Sequence, residues 1–200
     1  MSGAGTFPTE AKRRASAMTS VNSKRAPALF RKAIALGLIE AGARVLDFGC
    51  GRWPANAVRL LGSVGAKAQS YDPAWQPYPK RLKRAHYDVV CVSNVLNVIP
   101  DEDERARAVL AAWGCVRKGG RMIVTVYEAD RSGSPGPTKR GWQERRPLAD
   151  YVGRELAGIP GSVRNGMWVS DPKVVDAPPA ACHNIISNHA KGGQQCHTTR

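Results

Sequence analysis

Apolar residues recur along this chain in two rhythms. APALFRKAIALGLIEAG (26–42), ANAVRLLGSVG (55–65) and DEDERARAVLAAWGCVRK (101–118) carry them at helical spacing. ARVLDF (43–48), AKAQSYD (66–72), YDVVCVSNV (87–95) and RMIVTVYE (121–128) are short runs of strand type. Strands separated by helices require crossover connections, so the order predicts a parallel sheet flanked by helices, an α/β fold. Asp101, Glu102, Asp103 and Glu104 place negative charge where the third helix begins, and Arg117 and Lys118 are expected to close it, both matching the helix dipole. After the last of these strands, DRSGSPGPTKRG (130–141) reads as a flexible connection and PLADYVGRELAGI (147–159) as a helix. SVRNGMWVS (162–170) carries an Asn-Gly pair between strand-like flanks, the pattern of a tight hairpin at a sheet edge.

Composition narrows the partners. The 200 residues hold 30 Lys and Arg against 16 Asp and Glu, a formal charge of +14 and a pI near 10.1, which points to a polyanion such as nucleic acid. No apolar run is long enough to cross a bilayer, and the N-terminus lacks the apolar core of a secretory signal, so the expectation is a cytoplasmic protein with no membrane partner. Five cysteines suit a reducing compartment better than a disulfide framework. Residues 1–24 read as a basic flexible arm, 25–175 as one domain and 176–200 as a disordered tail. Cys182, His183, His189, Cys196 and His197 lie in that tail at spacings that fit no usual zinc pattern, so no metal is expected.

The chemistry concentrates in RVLDFGCGRW (44–53) and in the acid Asp72 that ends the next strand. Strand, glycine turn, helix, strand and acid form the pattern of a Rossmann-like nucleotide site, in which the second acid accepts from ribose hydroxyls. A dinucleotide fingerprint would need a third glycine where Pro54 stands. Asp47, two residues before Gly49, would repel a pyrophosphate but suits an ammonium group.

With Asp47, Gly49, Gly51, Asp72, the YDVVCVS run (87–93) and the VRKGG turn (116–120) in this order, the sequence resembles the class I S-adenosylmethionine-dependent methyltransferases over residues 25–130. More narrowly, SNVLNVIPDEDERARAVLAAW (93–113) resembles a segment of small phage-borne methyltransferases and of methyltransferases associated with DNA phosphorothioation. The resemblance implies a Rossmann-like sheet flanked by helices and S-adenosylmethionine as cofactor. It implies that Asp47, Phe48, Gly49, Cys50 and Gly51 meet the methionine and ribose, Asp72 and Pro73 the nucleoside, and Ser93 and Asn94 the methionine end. Asn97 stands near the acceptor-facing position and is the candidate catalytic residue.

The chain departs from the family between Asp72 and Tyr87. Fourteen residues (73–86) stand where a helix, a strand and a second helix are usual, so the third strand is expected to be reduced or missing, with Pro73, Trp75 or Tyr78 walling the adenine. Lys80, Arg81, Lys83 and Arg84 in this loop are expected to border the cofactor mouth and contact DNA or RNA. Trp142, in KRGWQERR (139–146), is a second candidate for the acceptor side. Neither the Pro-Cys pair of cytosine C5 methyltransferases nor the D/N-P-P-Y/F motif of DNA amino methyltransferases is present. Two readings therefore stand: direct methyl transfer to an unidentified acceptor, with nucleic acid or another anionic substrate as candidates, or a non-catalytic nucleic-acid-binding module that retains the fold.

Overall fold

The computed structural model describes residues 24–75, 82–128, 135–138 and 141–174. In chain order the elements are α1 (Ala28–Ala35), β1 (Arg44–Phe48), α2 (Ala55–Ser63), β2 (Lys67–Tyr71), β3 (Tyr87–Ser93), a 3-10 turn (Leu96–Val98), α3 (Glu102–Cys115), β4 (Val116–Thr125), β5 (Gly136–Thr138), β6 (Gly141–Gln143), α4 (Leu148–Val152), β7 (Gly161–Arg164) and β8 (Met167–Ser170). Six strands form one sheet in the order β2-β1-β3-β4-β8-β7, and β5 and β6 form a separate ribbon. The first four strands are parallel, while β8 and β7 complete the sheet antiparallel.

Alternation along each strand sends side chains to two faces. Leu46, Val90, Val92, Met122 and Val124 pack with Val109, Ala112 and Trp113 of α3 on one face. Val45, Val89, Cys91 and Ile123 pack with Leu29, Phe30 and Ala33 of α1 and Ala57 and Leu61 of α2 on the other. Strands buried on both faces explain why their sequences read as continuous apolar runs.

The structure refines several expectations. The first helix stops at Ala35, because Gly37 turns the chain left-handed and the Leu38 and Gly37 N–H groups cap the carbonyls of Ala33 and Ile34, a Schellman ending. The third helix ends at Cys115, short of Arg117 and Lys118, which lie in β4; there Arg117 pairs with Asp88 of β3. Its start is as expected, with the Asp101 carboxylate accepting from Glu104 N at 2.8 Å. Asn165 and Gly166, both at positive φ, make the tight hairpin at the sheet edge. The segment 130–141 carries part of the β5–β6 ribbon instead of being an unstructured connection throughout. Within 147–159 only Leu148–Val152 is helical.

Among the described residues the sheet has no strand outside β2, in agreement with the shortened connection after Asp72. No described helix is long and apolar enough to cross a membrane. The Cys182, His183, His189, Cys196 and His197 group, like the proposed tail and residues 1–23 of the proposed arm, falls outside the described residues.

Candidate functional site

The carboxyl ends of β1, β2, β3 and β4 converge on one rim of the sheet, where an open parallel sheet forms its ligand crevice. β1 ends in the turn Gly49–Cys50–Gly51. Gly49 has φ of +75°, and a Cβ placed on it would collide with Val95 Cγ2, so backbone conformation and close approach both require glycine here. The N–H groups of Gly49 and Cys50 donate to the Tyr71 carbonyl at 2.7 and 3.1 Å, and that of Gly51 donates to Asp72 Oδ2 at 2.9 Å. All three donors are thus spent inside the protein, and the turn offers no cradle for a phosphate.

Asp72 is 5% exposed and does more than hold the turn. Its Oδ1 accepts from the N–H groups of Ala74 and Trp75 at 2.8 and 3.1 Å, fixing Pro73 and the residues after it. Three of its roughly four lone-pair positions are filled, which leaves one for a hydroxyl donor.

Asp47, two residues before Gly49, is 3% exposed; its backbone is paired in the sheet, and no hydrogen bond contributes to the shift of its carboxyl. Burial, helped by the nearby Asp72 charge, pushes its carboxyl from 3.8 up to about 7. Its register partner on β2, Ser70, has a buried hydroxyl that also lacks a partner. A buried carboxylate and hydroxyl left open at the end of a parallel strand suit a cationic donor arriving from outside. Cys50 is no thiolate nucleophile: burial, then the charges of Asp47 and Asp72, push its thiol far above the usual range. The Phe48 side chain lies in the core, 5.6 Å from the Tyr71 ring, so only its backbone borders the turn.

On β3, Ser93 Oγ lies 3.4 Å from Thr125 Oγ1, and the Asn94 N–H donates to the Thr125 carbonyl at 2.8 Å with φ of +56°. Asn97 is 1% exposed. Its Oδ1 accepts from Tyr127 N at 3.4 Å and its backbone carbonyl accepts from Glu144 N at 2.7 Å. Asn97 thereby ties the exit of β3 to the exit of β4 and to the residues after β6. Trp142 is half-buried in β6 and donates through Nε1 to Glu144 Oε1 at 3.1 Å.

Two features were not singled out in the sequence, the stacking of Arg52 and a buried ionic network. Arg52, immediately after the turn, stacks its guanidinium 5.0 Å from the Trp53 ring and 5.1 Å from the Trp75 ring, roofing the side where no further strand is described. Trp75 also keeps a buried Nε1–H without a partner. The clue was local, since Arg52 follows the glycines directly and Trp75 follows the acid by three residues. The second is a buried ionic network: Arg105 of α3 contacts Glu155 at 2.5 Å and Glu144 at 3.3 Å, and Arg146 contacts Glu155 at 2.9 Å. It joins α3 to the segment that overlies β3 and β4, a contact between distant parts of the chain that no local pattern announces.

The basic loop is also repositioned. Ala85 N and His86 N donate to the carbonyls of Gly114 and Cys115, at the end of α3 and the amino end of β3. The exposed Lys83 and Arg84 therefore stand at the opposite end of the sheet from the glycine turn, and not at the mouth. Lys80, Arg81 and Tyr78 fall outside the described residues.

A methyltransferase-domain family profile matches residues 21–159 of the chain. Among solved structures, the fold is similar to 1,6-didemethyltoxoflavin-N1-methyltransferase of Burkholderia thailandensis, a structure with bound 1,6-didemethyltoxoflavin and S-adenosylhomocysteine. That match has 16% identity and a TM-score of 0.56, covering 74% of this chain and 79% of that one. It is also similar to a structure of the Haloferax volcanii Trm112 methyltransferase activator in complex with a methyltransferase, at 11% identity and a TM-score of 0.51, covering 72% and 89%. At these identities the likeness is one of fold. No curated protein matches the chain.

Proposed function

The chain belongs to the methyltransferase-domain family, and from that premise we propose that it transfers the methyl group of S-adenosylmethionine, held at the carboxyl ends of β1, β2 and β3, to a nucleophilic acceptor of anionic character. The observation that carries the reading is the pairing of an open, buried Asp47 carboxylate with a glycine turn whose N–H groups are already used. Such a site rejects a pyrophosphate and accepts an ammonium. The donor set fits the cofactor along its length. Asp47 takes the ammonium, and Gly49, Cys50 and Gly51 let the backbone pass beneath ribose and methionine. Asp72 gives its remaining lone pair to a ribose hydroxyl, while Pro73, Trp75 and Arg52 wall the adenine. Ser93 and Asn94 border the methionine end.

The cofactor, when bound, supplies a methyl group already activated by its sulfonium. What the chain contributes is orientation and close approach in an in-line geometry, with proton removal needed only for acceptors that are not already nucleophilic. Asn97 acts through the loops it joins. The high pKa of the Cys50 thiol argues against a covalent cysteine route. Within the family, the VLNVI segment (95–99) supports placing the chain beside the small phage-borne and phosphorothioation-associated methyltransferases, and the +14 charge supports a nucleic acid as acceptor in a cytoplasmic setting.

Calorimetry with S-adenosylhomocysteine tests the cofactor reading. Wild type should bind, and Asp72→Ala should bind at least ten-fold more weakly as a charge-assisted hydrogen bond is lost. Absence of wild-type binding, or binding indifferent to Asp72→Ala, overturns it. Transfer of radiolabelled methyl to DNA, RNA or a small-molecule extract then identifies the acceptor, and binding without transfer to any of them would favour the non-catalytic nucleic-acid-binding module.

A further inference from the structure

The two faces of the sheet carry different side chains at its carboxyl rim. Leu46, Val90, Val92, Met122 and Val124 pack towards α3, so the residues that alternate with them take the face covered by α1 and α2. At the rim these are Asp47 on β1, Ser70 on β2, Ser93 on β3 and Thr125 on β4. Asp47 and Ser70 are register partners, and so are Ser93 and Thr125. Val126 packs with the cluster on the α3 side, which leaves the other side to Tyr127. Tyr127 therefore stands one strand across from Ser93 and two residues further along, on the face that carries the buried Asp47 carboxyl.

Two observations single this residue out. The Tyr127 side chain is 61% exposed, more than any other aromatic among the described residues. Its main chain, which lies beyond the last residue of β4, is held by side chains from other parts of the fold. Asn97 Oδ1 accepts from Tyr127 N at 3.4 Å, and Gln143 Nε2 donates to the Tyr127 carbonyl at 3.1 Å. The next residue is fixed as well, since Glu128 Oε1 accepts from Leu148 N at 2.9 Å. An exposed aromatic residue on the surface is ordinary by itself. One whose backbone is fixed at a ligand rim offers a flat apolar face with only two side-chain torsions left to order, so a second ring can stack on it at small entropic cost.

We propose that Tyr127 selects the methyl acceptor by stacking against a planar unsaturated ring. The inference rests on the functional reading above, in which Ser93 and Asn94 border the methionine end, and it names the chemical class of acceptor for that site. Across the rim the order becomes nucleoside at β2, glycine turn at β1, methionine end at β3 and acceptor ring at β4, which follows the order of the strands in the sheet. A base in a nucleic acid strand and a free heterocycle present the same flat face to tyrosine.

The test uses the full chain at saturating S-adenosylhomocysteine. Fluorescence anisotropy follows labelled mixed-sequence 8-mers of single-stranded DNA and RNA, and an abasic 8-mer with the same number of phosphates; calorimetry follows guanosine monophosphate. Wild type should bind the strands that carry bases more tightly than the abasic strand. Tyr127→Ala should lose about ten-fold on those strands and nothing on the abasic one, whereas Tyr127→Phe keeps wild-type affinity because the ring and not the hydroxyl is used. Unchanged affinity for the abasic strand also shows that the variants are folded. Where bases add nothing to a strand but guanosine monophosphate binds and follows the same alanine and phenylalanine pattern, the ring is that of a free heterocycle. The proposal is overturned by Tyr127→Ala matching wild type on every ring-bearing probe, by an equal loss on the abasic strand, by a loss in Tyr127→Phe as large as in Tyr127→Ala, or by no wild-type binding of any ring-bearing probe. A wild type that binds S-adenosylhomocysteine but does not discriminate rings refutes this inference alone. Absence of S-adenosylhomocysteine binding refutes the functional reading, and this inference with it.

Discussion

Replacing Asp47 by asparagine isolates the feature on which the cofactor site depends. In the protein alone the carboxyl is raised from 3.8 to about 7, by burial first and by the Asp72 charge second. At about 1.4 kcal/mol for each tenfold change in proton affinity, ionising Asp47 inside the fold costs on the order of 4 kcal/mol. The folded protein holds this proton more tightly than the unfolded chain does. The contribution of Asp47 to stability is therefore full below about pH 4, declines as pH rises towards 7, and is lost above it. The amide of the Asp47→Asn variant cannot ionise. Urea unfolding of both proteins from pH 4 to 9 should show similar stabilities at the acid end and a variant more stable than wild type by up to about 4 kcal/mol at pH 8.5. The same substitution should weaken S-adenosylhomocysteine about 10- to 100-fold, because a charge-assisted hydrogen bond to the ammonium is lost. For wild type, the ammonium should draw the carboxyl back down, so binding at pH 6 should release protons, seen as a buffer-dependent calorimetric enthalpy that disappears in the variant. A variant less stable than wild type at pH 8.5, or one that binds S-adenosylhomocysteine equally well, refutes the reasoning.

Other substitutions probe the supports of the site. Gly49→Ala combines a left-handed φ with a collision against Val95 and should cost about 2–4 kcal/mol by denaturant unfolding; adding Val95→Ala should recover only the collision part. Arg105→Ala leaves Arg146 as the one guanidinium described against the buried Glu144 and Glu155 and should cost about 3 kcal/mol, with an increase in the unfolded fraction on heating as the simplest readout. Although partial burial acts the other way, the Arg44 N–H and the Arg117 and Arg44 side chains hold the Asp88 carboxyl below its ordinary value. Its contribution is thus present at neutral pH and fades as pH falls through the lowered value, so Asp88→Asn should flatten the acid limb of the stability curve.

The sheet was readable because its strands are buried on both faces: Val45, Leu46, Val89 and Val90 announce themselves as apolar runs wherever they are paired. The same holds for the glycine turn and its two acids, whose spacing reflects a local strand-turn-helix unit. Helix ends were harder. Arg117 and Lys118 looked like the closing charges of α3, but tertiary pairing drew Arg117 to Asp88 and extended β4 backwards to Val116. The positions of Lys83 and Arg84 differ from expectation because a loop that leaves the carboxyl end of one parallel strand must arrive at the amino end of the next, and its last residues belong to that far end. The burial of Asn97 was not legible because it depends on what folds over the residue, here Tyr127 and Glu144, more than 29 positions away in the chain. The Arg105–Glu144–Arg146–Glu155 network is non-local for the same reason.

The hydrogen bonds that strap Gly49, Cys50 and Gly51 to Tyr71 and Asp72 mean that the glycine turn takes its shape during folding and not on encounter with a small molecule. Little chain entropy remains to be surrendered there on binding, so this part of the crevice behaves as a rigid shelf whose contacts translate into affinity without an ordering penalty. Backbone amides at 49–51 should accordingly exchange with solvent as slowly as those of the neighbouring strands, and ligand discrimination at this turn becomes a matter of shape and charge rather than induced closure.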